Sequence, residues 1–181
     1  MPKNKVFGQA EGGDILQYAI TQCKEMSELN PKAINTLRIV TVNDGKSAPY
    51  VLSVLLRVGT SATNNVDNWA AGGLAIGVEK SGYLSKYGFY KPKFGKKISQ
   101  HPDTKIEFSK FKVPMYEEAL QLACKAHTYF YGVHSIGWDV ALTPNGPMFI
   151  EGNDNWEISL MQACSKGLKK EWMKSFPNTK Q

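Results

Sequence analysis

Two runs in the first third of the chain, AINTLRIVTV and APYVLSVLLRV, are apolar almost throughout and rich in β-branched residues, which predicts strands covered on at least one face. NDGKS separates them, and Asp-Gly between such runs predicts a hairpin. Upstream, residues 14–28 open with ILQYAI and pass into a helix-like polar pattern that ends before Asn30-Pro31. Downstream, SATNNVDNWAAGG (61–73) is a polar, glycine-bearing loop long enough to be functional. LAIGVEKSGY resumes strand character with a turn at Lys80 to Gly82, and KIEFSKFKVP alternates as a half-exposed strand does. After Pro114, apolar residues at 115, 119, 120, 122, 123, 126 and 130 form a helical stripe that Gly132 ends. IGWDVALTPNGPMFIEGND reads as two strands around TPNGP, and EISLMQACSKGLKKEWMKSF as a final helix with basic residues toward its C-terminus. The expected class is α+β, an antiparallel β-sheet with packed helices, in one folding unit over residues 1–181 with its core at about 14–172.

Composition narrows the class. Hydrophobic residues make up 42% and charged residues 21%, a globular balance. No apolar stretch approaches the roughly 20 residues of a membrane span, and no secretory signal opens the chain, so the expected location is cytoplasmic. Cys23, Cys124 and Cys164 lie far apart without ligand spacing, which supports buried thiols rather than disulfides or zinc. The net charge of +6 is concentrated in lysines at 80–112 and 166–180. In the first stretch they alternate with tyrosine and phenylalanine, a pattern shared by single-stranded nucleic-acid platforms and by solvated lysine-rich hairpins.

Only two of the 22 basic residues are arginines, Arg38 and Arg57, and each interrupts an apolar strand. A planar, permanently charged fork in that setting points either to a phosphate or carboxylate clamp or to a buried ion pair. Asp139 and Glu151 raise the complementary question. Alternation puts Asp139 opposite the Glu151 to Asn153 segment once the hairpin folds, with Glu151 and Asn153 on one face. Two carboxylates and an amide oxygen at one point need protonation, arginine or a cation to balance them, and a hard divalent cation suits that donor set best.

These residues, in this order, resemble the C-terminal half of the ATP-grasp ligases, in which an aspartate on one strand and Glu-x-Asn on the next hold magnesium. NTLRIVTV, LLRVG and NWAAGG resemble the two arginine strands and the Asn-x-x-x-Gly-Gly loop of the glutamate-adding members. LNPKAINTLRIVTV, VDNWAAGG, HPDT, GWDVALTPNGP and IEGN are more closely similar to the sugar-transfer-associated ATP-grasp family, over about Asp14 to Asn153. The resemblance implies an ATP-grasp C-terminal subdomain and an ATP- and Mg2+-dependent carboxylate-amine or similar ligase, linked to polysaccharide or cell-envelope synthesis. It implies Asp139, Glu151 and Asn153 as metal ligands and Arg38 and Arg57 as catalytic residues on phosphate or acyl-phosphate. Asn68, Gly72, Gly73 and His101 become substrate-binding residues. Gln17, Tyr18, Ala19 and Ile20 become the nucleotide-binding segment, with Gln17 where the family has an acid.

Two departures shape the expectation. The dozen residues before Asp14 contain no phosphate-cradling glycine loop, which suggests a truncated domain, half of a clamp. Gly137 and Trp138 precede Asp139 where many relatives carry an arginine, so the positive charge falls to Arg38 and Arg57. The implied partners are a nucleotide and a small carboxylate substrate, with oligomerisation left open. The alternatives are a non-catalytic module for an anionic polymer, nucleic acid or polysaccharide, and an inactive half-domain.

Overall fold

The computed structural model describes residues 19–61, 67, 69–91, 97–164 and 167–175. Six antiparallel strands form one sheet in the order β4-β3-β2-β1-β5-β6. They are β1 (Thr36–Val42), β2 (Tyr50–Val58), β3 (Leu74–Val78), β4 (Leu84–Tyr90), β5 (Ser135–Thr143) and β6 (Gly146–Asn153). Four helices join them: α1 (Lys24–Leu29), α2 (Tyr116–His127), α3 (Ile158–Cys164) and α4 (Lys169–Ser175). The α+β architecture and both expected hairpins are present. At the first turn, Asp44 Oδ1 accepts the N–H groups of Lys46 and Ser47, and Gly45 takes the left-handed φ of +71° that its position requires.

The sheet has two unlike faces. Leu37 and Ile39 of β1, Leu56 of β2, Ile76 of β3 and Val140 of β5 pack with Met26 and Leu29 of α1 and Ala119 and Ala123 of α2. On the other face, Val40, Leu55 and Ala75 meet Leu160 and Met161 of α3. Every residue of β1 is buried, because the strand is central and covered on both sides; that is why its sequence is nearly continuously apolar. α3 lies against β2, β3 and β4 and reaches Val40 of β1, leaving the second face over β5, β6 and the Arg38 end of β1 to a different use.

Three elements depart from the sequence expectation. KIEFSKFKVP is not a strand: a 3₁₀ turn at Phe108–Lys110 lies between isolated bridges at Gln100–Glu107 and Tyr83–Lys112. Phe108 and Phe111 are both buried, and a spacing of three cannot point both to one face of a strand, whereas a 3₁₀ turn aligns them. α2 ends at His127, and its buried line is Tyr116, Ala119, Ala123 and His127 rather than the purely apolar stripe. His127 belongs there because Thr41 Oγ1, 2.7 Å from Nδ1, and the Val133 carbonyl, 2.9 Å from Nε2, satisfy both ring nitrogens. The C-terminal helix is two helices, with Gly167 at φ +91° before α4. No described helix is long and apolar enough to cross a membrane.

Candidate functional site

The sheet register brings the charged residues together. Arg38 on β1 pairs with Asp139 on β5, and Asp139 pairs with Glu151 on β6, so the three form a row across neighbouring strands on the second face. A bulge makes this possible. From the turn, β5 and β6 pair regularly as far as Val140 with Phe149, which would set Asp139 against Ile150 and Glu151 against Trp138 on the apolar face. One extra residue, Ile150, shifts the register between Asp139 and Val140 and turns Glu151 and Asn153 to the side of Asp139. The expected convergence is therefore present, through a bulge that alternation alone does not reveal.

Asp139 is 2% exposed. Arg38 donates from Nε to Oδ1 at 2.5 Å and from NH2 to Oδ2 at 2.9 Å, a bidentate pair, and Arg57 NH1 donates to Oδ2 at 2.6 Å. Burial pushes the Asp139 carboxyl up, but the hydrogen bonds and charge of Arg38, with the charge of Arg57, outweigh it and hold the group below its ordinary value. Burial likewise works against the Arg38 charge, and Asp139 more than restores it. The neutralisation that the sequence argument gave to a cation is thus supplied, for Asp139, by guanidinium groups.

Arg57 has a second partner that the motifs did not single out. Asp67 Oδ1 accepts from Arg57 NH2 at 3.3 Å, while Asp67 Oδ2 accepts from Thr36 Oγ1 at 2.5 Å. Burial raises the Asp67 carboxyl against the pull of Arg57 and Thr36. The available signal was a carboxylate in a polar loop, next to Trp69. Arg57 Nε is buried and has no hydrogen-bond partner among the described residues.

Above this group lies a cavity of about 260 Å³ lined by Arg38, Arg57, Glu151 and Asn153, with Trp69, Ala70, Trp156 and Leu160 among its walls. Gly137 is required beneath Trp156, because a Cβ there would lie 2.6 Å from Trp156 Cβ. This accounts for glycine two positions before Asp139, while Trp138 points to the opposite face and packs with Phe149. A larger cavity, about 840 Å³, borders Glu79, Glu117 and Glu171 and has no arginine in its walls. Burial pushes its Cys164 thiol up to about 12, which disfavours the thiolate a nucleophile would need, and its three glutamates outnumber Lys80 in the wall.

The donor set fits a hard divalent cation. Glu151 is exposed and uses Oε1 to accept from Asn153 Nδ2 at 3.0 Å, leaving Oε2 and the Asn153 amide oxygen for a metal. Asp139 Oδ1 accepts a single hydrogen bond and retains acceptor capacity. Among the described residues no three His, Cys, Asp or Glu side chains converge, so two carboxylates and one amide are the set in question.

The remaining expected site residues lie elsewhere. Gly72 and Gly73 are buried between Trp69–Ala71, a 3₁₀ turn, and β3, where Gly72 takes a φ of +103°; Trp69 and Ala70 reach the cavity instead. His101 is fully buried away from the cavity. Its Nε2 lies 3.0 Å from the Gly59 carbonyl, and its Nδ1 accepts the N–H groups of Asp103 and Thr104, which makes it a brace for its own loop. Ala19 and Ile20 precede α1 and do not line the cavity. Gln17, Tyr18 and Asn68 lie outside the described residues. On the lysine-rich edge, Lys86 and Lys97 sit over the Tyr87 ring and Lys112 over Tyr83.

A family model described as sugar-transfer associated ATP-grasp matches residues 7–177. No curated protein and no solved structure matches.

Proposed function

The chain belongs to the sugar-transfer associated ATP-grasp family, and from that premise we propose that it carries the phosphate and metal side of an ATP-dependent ligase site. In this reaction ATP phosphorylates a small carboxylate, and an amine or similar nucleophile displaces the phosphate. The observation that carries the reading is the row Arg38, Asp139, Glu151, with Arg57 beside it, under one cavity. Arg38 and Arg57 offer fixed positive charge where a phosphoryl group or tetrahedral oxyanion gains negative charge, in a wall largely closed to water.

Glu151, Asn153 and the residual capacity of Asp139 would hold magnesium, which supplies charge neutralisation on the nucleotide phosphates. Asp139 itself orients both arginines, and Trp69 and Trp156 exclude solvent from the arginine pair. A cavity of about 260 Å³ accommodates phosphate groups and a small reacting acid rather than a whole nucleotide. This chain therefore supplies one part of a larger clamp in the proposal.

Polyanion docking has charge in its favour, since residues 80–112 hold nine lysines against two acidic residues. Two of its tyrosine rings, Tyr83 and Tyr87, however, already carry lysine ammonium groups and offer less stacking surface. Calorimetric titration with ATP, with and without magnesium, tests the ligase reading. Wild type should bind in a magnesium-dependent way and Glu151→Gln should lose that dependence; identical titrations would reject the metal assignment.

A further inference from the structure

Asp67 belongs to the buried ionic group and has no part in the metal set or the phosphate clamp. Its geometry is unusually tied to Arg57. Thr36, which donates to Asp67 at 2.5 Å, is the direct cross-strand neighbour of Arg57, so the residue paired with the arginine also anchors the carboxylate that restrains it. The arginine has two anchors of unequal length, NH1 to Asp139 at 2.6 Å and NH2 to Asp67 at 3.3 Å. Asp67 also lies two residues before Trp69, so the same tie fixes a wall of the cavity.

Without Asp67, two guanidinium groups would share the single carboxylate of Asp139, with Glu151 at the exposed margin. With it, the buried group holds two cations and two anions. We propose that Asp67 tempers the positive charge that Arg57 offers to a phosphate ligand, so that the site binds phosphate without retaining it. The inference rests on the reading of Arg38 and Arg57 as a phosphate clamp.

The test is calorimetric binding of pyrophosphate, which has no base or ribose, to wild type, Asp67→Asn, Asp67→Glu and Arg57→Gln, with a thermal melt of each. Asparagine keeps the size and removes the charge; with its oxygen accepting from Thr36 it turns an amide NH2 toward Arg57, so the ion pair and its hydrogen bond go together. Asp67→Asn should therefore bind pyrophosphate about tenfold more tightly, the scale on which one nearby charge acts. Asp67→Glu should return the affinity toward wild type, and Arg57→Gln should weaken it. A residue that only supports the fold would give weaker binding in Asp67→Asn. Equal or weaker binding by folded Asp67→Asn, with binding still lost in Arg57→Gln, overturns the inference and leaves the phosphate clamp standing. Failure of wild type to bind, or indifference to Arg57→Gln, overturns the clamp and the inference with it.

Discussion

Asp139 sits beneath two guanidinium groups, and its removal leaves both with one buried partner fewer. Asp139→Asn should cost roughly 3–5 kcal/mol at neutral pH, the penalty for breaking a buried pair, as read from urea unfolding. The same variant should change the acid limb of stability. With its carboxyl held below the ordinary value of 3.8, Asp139 contributes in full above that pH, and the contribution is lost as pH falls through the lower folded value. Asp67 has the opposite sign: its raised carboxyl favours the folded state at low pH, and that contribution is lost as pH rises from 3.8 through the folded value. Asp139→Asn should therefore show a flatter loss of stability in acid; an unchanged acid limb would contradict the pairing. Arg38 and Arg57 were legible from the sequence because they are rare and interrupt apolar runs. Asp67 was not, since one carboxylate in a polar loop carries no sign of the tertiary contact that buries it.

At the scale of elements, the site depends on local irregularities more than on the strands that carry them. Regular counting from the turn sets Asp139 against Ile150, and only the bulge opposes it to Glu151. Which residue a ladder leaves out is decided by competition between faces: Phe149 belongs with Trp138 on the apolar side, and Glu151 belongs with the charges. Pattern alone does not state that outcome. The 3₁₀ turn at Phe108–Lys110 was legible in principle, because two aromatics three apart break strand parity. Gly137 makes the closest packing demand. Gly137→Ala places a methyl 2.6 Å from Trp156 Cβ and should cost about 1–3 kcal/mol, with Trp156 fluorescence shifting as the ring leaves the cavity wall. Full stability with an unmoved indole would show that the wall is not set by that contact.

For the whole molecule, the sheet divides labour between its faces. One is closed by α1 and α2 over a continuous apolar core; the other is shared between α3 and the arginine-carboxylate row. The α+β class and both hairpins were legible, because apolar period and turn residues are local signals. The roles of His101, Gly72 and Gly73 were not, because a motif match does not say whether a residue faces a ligand or braces a loop. The most direct measurement is a crystal structure with manganese and a non-hydrolysable ATP analogue, read by anomalous scattering. A metal peak is expected at about 2.0–2.4 Å from Glu151 and Asn153 oxygens, with a phosphate against Arg57. A metal bound elsewhere, with Glu151 and Asn153 free of it, would contradict the account.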